Sequence, residues 1–166
     1  MESLALRLWQ DDDLSLLHRA NTPEMTAHLN GPETEEQIAE RHARYLRLVS
    51  AGDAKMFAIV ADGRSVGSIG SWKVRWRDRD ALETGWFVLP EAQGRGVAAQ
   101  ALGLLIDEEL LHADGPDTMV AFPEVDNGAS NAVCRRAGFR LEGSFTEAFR
   151  GRPLVMNEWV RDLRVR

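Results

Sequence analysis

The stretch that decides the fold is residues 83–111, which read ETGWFVLPEAQGRGVAAQALGLLIDEELL. Its first part, Glu83 to Leu89, mixes β-branched, aromatic and aliphatic residues over the length of one strand. Pro90 has no backbone N–H to give to a ladder, so we expect the strand to end there. Apolar residues then recur on one face of a helix of about four turns: Val97, Ala101, Leu104, Leu105 and Leu111. The stretch therefore predicts a strand, a loop, and a helix that begins near Gly96.

Two glycines lie in the loop between the predicted strand and helix, in the run Gln93-Gly94-Arg95-Gly96-Val97-Ala98. Glycine lets the backbone pass close to a bulky ligand. The first N–H groups of a helix also point outward at its positive dipole end. The loop therefore predicts a pyrophosphate site. The plain alternative is a glycine-rich turn that binds nothing, because such turns are common.

The loop also loosely matches the dinucleotide-binding fingerprint, with Gly94, Gly96 and Ala99 in the small-residue positions. That fingerprint needs its first glycine directly after a strand and an acidic residue roughly 20 positions later, at the end of the next strand. Here Pro90-Glu91-Ala92 intervene, and Asp114 falls in a Gly-Pro turn. The pattern therefore disfavours a dinucleotide.

Length and composition are typical of one globular domain, expected to span residues 1–166, with 44% hydrophobic and 28% charged residues. The net charge of −6 disfavours a dedicated nucleic-acid binder. Cys134 is the only cysteine, so no intramolecular disulfide can form. Glu2 stands where a signal peptide needs a base, and no run of about 18 apolar residues occurs. We therefore expect a cytoplasmic protein without nucleic-acid or membrane partners, either monomer or homodimer.

The chain before the central stretch predicts one strand, then helices, then strands. Alternating residues over Ser3–Trp9 predict the strand, and Thr34 with Gln37 forms a capping box that opens a helix ending at Gly52. Shorter helical segments are expected after Asp11-Asp12-Asp13 and over Met25–Asn30. Lys55–Ala61 and Ser65–Arg77 then precede the central strand, which predicts three consecutive antiparallel strands.

Basic residues alternate with tryptophan in the second of these strands, where Trp72 and Trp76 share one face with Val74. Such interleaving can indicate nucleic-acid binding. An amphipathic strand with a solvated basic face is the simpler interpretation in an acidic chain.

The chain after the central helix predicts a strand, a helix and two final strands. A right-handed crossover would place Thr118–Phe122 parallel to the central strand. Asn127 is a candidate cap for a helix that Gly138 ends, with an expected packing stripe of Ala129, Val133 and Ala137. The final strands are expected over Arg140–Phe149 and Leu154–Leu163.

Three motifs together resemble the GNAT superfamily of N-acetyltransferases, in its ribosomal-protein Nα-acetyltransferase branch. The run from Gln93 to Ala98 resembles the acyl-coenzyme-A loop of the family, Gln/Arg-x-x-Gly-x-Gly/Ala. The other two are Glu83-Thr84-Gly85-Trp86 on the central strand and, further on, Asn127, Ser130, Gly138-Phe139 and Glu142-Gly143. The matches cover Glu83 to Gly143, whereas the first fifty residues match only in the order of elements.

The resemblance implies an α+β fold with a mixed, mainly antiparallel twisted sheet. About six or seven strands are expected, with a splayed parallel pair at the centre and about four flanking helices. It also implies an acyl-CoA-dependent N-acyltransferase that needs no metal and takes acetyl-CoA as co-substrate. The acetyl group would pass to a primary amine, a protein N-terminus or a small molecule, by direct attack in a ternary complex. The alternative is an inactive acyl-CoA-binding sensor or interaction module of the same fold.

The resemblance further implies where the cofactor binds. The pantetheine arm would bond to the backbone of the central strand, and the pyrophosphate would rest on the N–H groups of the glycine loop. The implied cofactor-binding residues are Trp86, Phe87, Val88, Gln93, Gly94, Arg95, Gly96, Val97, Ala98, Ala99 and Asn127.

Acetylation of an amine needs a neutral nucleophile, donors for the developing oxyanion and a proton for the departing thiolate. Glu83 is the candidate base, with a pKa raised by partial burial. A surface carboxylate paired with a nearby arginine is its plain alternative. By family analogy, the backbone N–H of Val88 is the candidate oxyanion donor.

The proton donor is where this sequence departs from the wider family, because Cys134 stands where many GNAT enzymes have a tyrosine. Asn127, Ser130 and Cys134 are spaced i, i+3 and i+7, so we expect one helical stripe that faces the cofactor sulfur. Ser130 and Cys134 are therefore both candidate donors, and water is a third. Cys134 is equally well explained as a small buried apolar residue.

Overall fold

The computed structural model describes residues 3–112 and 114–164. Within them the strands are β1 (Leu4–Leu8), β2 (Ala54–Ala61), β3 (Arg64–Trp76), β4 (Arg79–Val88), β5 (Thr118–Ala121), β6 (Arg140–Phe149) and β7 (Arg152–Asp162). The α-helices are α1 (Leu14–Ala20), α2 (Glu35–Ala51), α3 (Val97–Leu110) and α4 (Gly128–Arg136). The strands form one sheet in the order β1-β2-β3-β4-β5-β7-β6. The expected α+β class and mixed sheet are therefore confirmed.

Only the central pair of the sheet, β4 with β5, is parallel among the described strands. Its pairing is short and extends from Leu82 opposite Met119 to Thr84 opposite Ala121. Strand β4 continues beyond that point to Val88, whereas β5 ends at Ala121. The two strands therefore part, which confirms the expected splayed pair and leaves an opening between them.

Helix α2 shows how local sequence sets the element boundaries. The hydroxyl oxygen of Thr34 accepts from the Gln37 backbone N–H at 3.1 Å, and the Gln37 side chain accepts from the Thr34 N–H at 2.9 Å. Gly52 ends the helix in the left-handed region, at φ 77°. The predicted capping box and stop signal are both confirmed.

The buried face of α3 differs from the predicted stripe. Val97, Ala101 and Leu105 are buried as expected, but Leu104 is 37% exposed and Leu111, just beyond the helix, is 75% exposed. The prediction was therefore wrong at these two leucines. Their places are taken by Leu102 and Ile106, because a helix that lies flat on a sheet buries adjacent positions in each turn. None of the described helices is long and apolar enough to span a bilayer.

Helix α4 also turns a different face to the core. Val133 is buried and Ala137 packs against the main core, as predicted, but Ala129 is exposed, so the predicted stripe was wrong at that residue. Asn131 and Cys134 are buried instead. The side-chain oxygen of Asn131 accepts from the indole N–H of Trp159 at 2.7 Å, which fixes the helix to β7.

A buried carboxylate fixes the other end of α3. Glu109 accepts from the Ser71 hydroxyl at 2.6 Å and from the Lys55 ammonium at 3.0 Å. These contacts join the helix to β2 and β3. The helix that follows the glycine loop is therefore fixed to the sheet by its buried apolar face and, at its far end, by Glu109.

Candidate active site

A cleft of about 630 Å³ opens where β4 and β5 separate, a size typical of small-molecule sites. Its floor includes Glu83 to Phe87 of β4 and the chain that follows β5. Asn127 and Ser130 at the start of α4 lie on one side. The hairpin of β6 and β7 and the segment near His28 form the remaining walls. The splay of the parallel pair therefore creates the candidate site.

The backbone of β4 has groups directed into the splay. Leu89 donates its N–H to the Val66 carbonyl at 2.8 Å, towards β3. Because hydrogen-bonding groups of successive residues point to opposite sides of a strand, the N–H groups of Val88 and Trp86 are directed towards the side from which β5 has withdrawn. The Val88 carbonyl accepts from the Gln93 side chain at 2.8 Å. Gln93 therefore ties the start of the glycine loop to the end of the strand.

The glycine loop has the backbone conformation that its sequence predicts. Gly94 and Gly96 both lie in the left-handed region, at φ 78° and φ 75°. A Cβ at Gly94 would meet nothing within 4 Å, and one at Gly96 only the Gln100 amide at 3.8 Å. Gly96 caps α3 without any side-chain hydrogen bond to the first helical N–H groups. Those groups are thus left to a ligand or to water.

Glu83 is a half-buried carboxylate on the cleft floor, opposite Trp72 of β3. Burial raises the pKa of Glu83 to about 7, and the nearby Glu147 carboxylate adds to the rise. A hydrogen bond with Trp72 opposes it by favouring the charged form. A pKa near neutral is what a general base needs in order to accept a proton and release it in each turnover.

The structure separates the two predicted proton donors. Ser130 lines the cleft, and its backbone N–H donates to the Asn127 side chain at 3.2 Å. Cys134 is fully buried in the main core, and that burial raises the pKa of its thiol to about 12. The expectation that one stripe would bring both side chains to the cleft is therefore corrected at Cys134. The first turn of α4 reaches the cleft, whereas the turn that carries Cys134 packs into the core.

Several cleft residues escaped the sequence reasoning. They are His28, Glu124, Phe145, Glu147, Met156 and Glu158. The alternation over β6 and β7 signals a two-faced hairpin, but it does not reveal that one face leans over the cleft. His28 and Glu124 form a contact of 2.9 Å across the chain that no local pattern indicates. Within residues 3–112 and 114–164, no three His, Cys, Asp or Glu side chains come together as a metal-ligand set.

Comparison with known proteins gives relatives of one kind. The chain is 32% identical over 117 residues to the L-methionine sulfoximine/L-methionine sulfone acetyltransferase of Pseudomonas paraeruginosa, covering 69% of this chain and 67% of that protein. It is 29% identical over 153 residues to the ribosomal-protein-serine acetyltransferase of Escherichia coli K12, covering 89% and 84%.

A solved structure shows the same fold. It is an acetyltransferase from Salmonella typhimurium that modifies the N-terminal serine of ribosomal protein L7/L12, with a TM-score of 0.82 at 25% identity, covering 96% of this chain and 95% of that one. The acetyltransferase (GNAT) domain family matches residues 3–140, which include β1 to β5 and helix α4. The chain therefore belongs to the GNAT acetyltransferase family.

Proposed function

We propose that this protein transfers an acetyl group from acetyl-CoA to a primary amine, by direct attack of the amine in a ternary complex. The observation that carries the proposal is Glu83, a carboxylate with a pKa near 7 on the floor of a cleft between splayed parallel strands. The strand that carries Glu83 also directs the N–H groups of Trp86 and Val88 to the same opening. A base and an oxyanion donor thus belong to one rigid element.

The cofactor occupies the splay and the glycine loop in this proposal. The pantetheine arm forms hydrogen bonds with the β4 backbone. The pyrophosphate accepts hydrogen bonds from the N–H groups at the start of α3, where the helix dipole favours an anion. The residues assigned to the cofactor are Trp86, Phe87, Val88, Gln93, Gly94, Arg95, Gly96, Val97, Ala98, Ala99 and Asn127. Gln93 acts through its hydrogen bond to the Val88 carbonyl, which holds the loop against the strand.

The reaction follows from these positions. Glu83 takes a proton from the ammonium group, and the neutral amine attacks the thioester carbonyl carbon. The Val88 N–H stabilises the oxyanion that forms. The C–S bond then breaks, and the leaving thiolate takes a proton from the Ser130 hydroxyl. The second proton that the attacking nitrogen loses on forming the amide restores that hydroxyl. Ser130 is preferred to Cys134 because it lines the cleft, whereas the Cys134 thiol is enclosed in the core.

Ser130→Ala is expected to lower kcat by about 10²-fold, the lower end of the usual effect of a proton donor. Cys134→Ala is expected to leave kcat within about twofold and to destabilise the fold by about 1 kcal/mol, through loss of buried volume. Steady-state rates and thermal unfolding of both variants decide the assignment. A loss of kcat in Cys134→Ala alone would reverse the assignment, and no loss in either variant would leave water as the donor.

The alternative function is an acyl-CoA-binding module without turnover. The two are separated by thiol release from acetyl-CoA in the presence of L-methionine sulfone or of a peptide with an N-terminal serine. The names of two relatives motivate these acceptors. We expect amine-dependent release with at least one of them. Release without any amine would show hydrolysis, and cofactor binding without release would support the module.

We further propose that the chain works as a single N-acetyltransferase domain in a bacterial cytoplasm, as monomer or homodimer, without metal, nucleic acid or membrane. One continuous sheet supports a single domain. Cys134 is the only cysteine and is unpaired, which fits a reducing compartment. Thiol alkylation of protein in intact cells, compared with alkylation after unfolding, would test the burial of this residue in its native compartment.

A further inference from the structure

Residues 25–31, which we name the strap, are tied to three neighbouring parts of the cleft rim. The Gln93 amide, just after β4, donates to the Met25 sulfur at 3.4 Å. His28 lies 2.9 Å from the Glu124 carboxylate, just after β5. At the far end, the Asn30 amide donates to the carbonyl of Phe149, the last residue of β6, at 2.8 Å. The ties follow the order of the sheet, so the strap crosses the end of the cleft at which β4 and β5 part.

The far end of the strap is held by a group that we name the clasp, made of Glu33, Arg41 and Arg150. Arg150, in the turn between β6 and β7, donates to the Gly31 carbonyl at 2.6 Å and pairs with the Glu33 carboxylate at 3.2 Å. The other carboxylate oxygen of Glu33 pairs with Arg41 of α2. The clasp therefore joins the hairpin, the strap and a helix at one point.

The side chains of the clasp are largely shielded from solvent, and this determines how much their ion pairs contribute to fixing the strap. The side chains of Glu33 and Arg150 are only 13% and 17% exposed. Burial lowers the pKa of Arg150, opposed by the Glu33 charge, so the guanidinium depends on that partner. Exposed ion pairs contribute little to stability, whereas enclosed ones matter more when a partner is removed. Removal of Arg150 would leave Glu33 paired with Arg41 but would take away the donor to the Gly31 carbonyl. The Glu33 backbone is held as well, because its N–H and carbonyl both bond to the Asn21 side chain, at 2.8 and 2.9 Å.

The first part of the strap is fixed by its own contacts, because Thr26 is buried and its hydroxyl donates to the Thr22 carbonyl at 2.6 Å. The backbone N–H groups of Leu29 and Gly31 donate to the Thr26 carbonyl, at 2.9 and 3.0 Å. Beyond Thr26 the only regular element is the short 3-10 turn Ala27–Leu29. Yet Met25, His28 and Leu29 line the cleft. The clasp therefore acts together with the His28–Glu124 and Asn30–Phe149 contacts to place His28 and Leu29 in the cleft.

We propose that Arg150 and Glu33 are positioning residues for the amine acceptor. They act by holding His28 and Leu29 of the strap where these side chains contact the acceptor. The inference rests on the proposed acetyl transfer. We expect the clasp to affect binding of the acceptor and not of acetyl-CoA, because the cofactor-binding groups proposed above lie on β4, the glycine loop and the start of α4. The clasp lies at the opposite end of the strap from Gln93.

The test uses Arg150→Met, which keeps the length of the side chain but removes its charge and its donors. Arg150→Lys keeps the charge without the forked donor geometry, and we expect it to be intermediate. Arg7→Met is the matched control, because Arg7 also pairs with a carboxylate, that of the buried Asp13, at 2.8 Å. Arg7 is on β1, at the other end of the sheet from the hairpin of β6 and β7. Backbone hydrogen exchange of residues 26–31 and the two KM values are measured in each variant.

We expect amide exchange in the strap to be about tenfold faster in Arg150→Met, with smaller changes elsewhere. We expect the KM of the reacting acceptor, L-methionine sulfone or the N-terminal-serine peptide, to rise about tenfold while the KM of acetyl-CoA stays within about twofold. Arg7→Met should lose stability without either local effect.

Three results would overturn the proposal. The first is strap exchange that accelerates no more than exchange in the rest of the chain. The second is a KM for acetyl-CoA that rises as much as that of the acceptor, or an acceptor KM that does not change. The third is wild-type protein that turns over neither amine, which overturns the proposed function and the acceptor role together. In that case strap exchange still reports whether the clasp holds the strap.

Discussion

Glu83→Gln lowers kcat by roughly 10²–10³ while the affinity for acetyl-CoA stays nearly unchanged, if Glu83 is the base. Glutamine keeps the size of the side chain and its hydrogen bonding but cannot accept a proton from the ammonium group. In the proposed site the β4 backbone and the glycine loop hold the cofactor, so we expect its binding not to depend on this carboxylate. Steady-state kinetics and calorimetric titration with CoA measure the two quantities.

The pH profile separates a base from a substrate anchor. Wild-type kcat should rise with pH through an apparent pKa near 7, because burial raises the pKa of Glu83 to about that value and only the carboxylate accepts a proton. Glu83→Gln should flatten this acidic limb, and higher pH should partly rescue it by supplying neutral amine. An anchoring role would instead weaken acceptor binding and leave the shape of the profile unchanged.

Glu147→Gln is the matched variant on the opposite wall of the cleft. The Glu147 carboxylate contributes to the raised pKa of Glu83. Its removal should therefore shift the acidic limb to lower pH without the loss of the plateau rate expected of Glu83→Gln. The other titratable or charged groups that line the same cleft are His28, Arg75, Glu124 and Glu158. A limb that stays in place in Glu147→Gln would show that the Glu147 charge does not affect the group that sets the profile.

The Glu83 carboxylate supports catalysis in this proposal, but its charged form should lower the stability of the folded chain. The pKa of Glu83 is about 7 in the folded chain and 4.5 in its reference state, so the native state binds more protons between these values. Stability is therefore lost as pH rises through this window. Glu83→Gln has no such charge and should unfold at a higher temperature than wild type at pH 8. A base that is held at some expense of stability is what a functional site predicts.

Residues with local signals were placed correctly from the sequence. The capping box at Thr34, the stop at Gly52, the strand end before Pro90 and the helix start after Gly96 all depend on near neighbours in the chain. The parallel central strand followed from the handedness of the crossover. These features belong to backbone chemistry and short-range packing, which the order of residues determines directly.

The parts that depend on distant contacts were placed less well. The i, i+3, i+7 spacing puts Ser130 and Cys134 on one stripe of α4, but it does not say at which turn the helix enters the core. The strap was expected as a short helical segment, and it holds the 3-10 turn Ala27–Leu29. Nothing in its residues indicates the partly buried Arg150–Glu33 pair, whose partners are more than a hundred residues apart. The sequence also did not reveal that side chains of β6 and β7 line the cleft, because this depends on contacts between distant segments. Contacts between distant segments, which local pattern does not encode, decide which side chains of the strap and the hairpin line the cleft.

Gly96→Val is expected to weaken CoA binding by at least about 10²-fold, because its side chain would stand where the pyrophosphate must approach the first N–H groups of α3. The site has room for a Cβ in the free protein, because a Cβ at Gly96 would meet only the Gln100 amide, at 3.8 Å. The loss should therefore come from the ligand side and not from a clash within the fold. Calorimetric titration with CoA measures it.

The left-handed backbone at Gly96 complicates the test, because a β-branched residue there is strained by about 1–2 kcal/mol whether or not a ligand binds. Gly52→Val is the matched control. Gly52 has nearly the same backbone, φ 77° and ψ 14° against φ 75° and ψ 15°, and open space around its Cβ position. It lies at the end of α2, outside the glycine loop and the start of α3. Both variants should lose similar stability, and only Gly96→Val should lose the cofactor. Equal CoA affinity in the two variants would show that the loop does not hold the pyrophosphate.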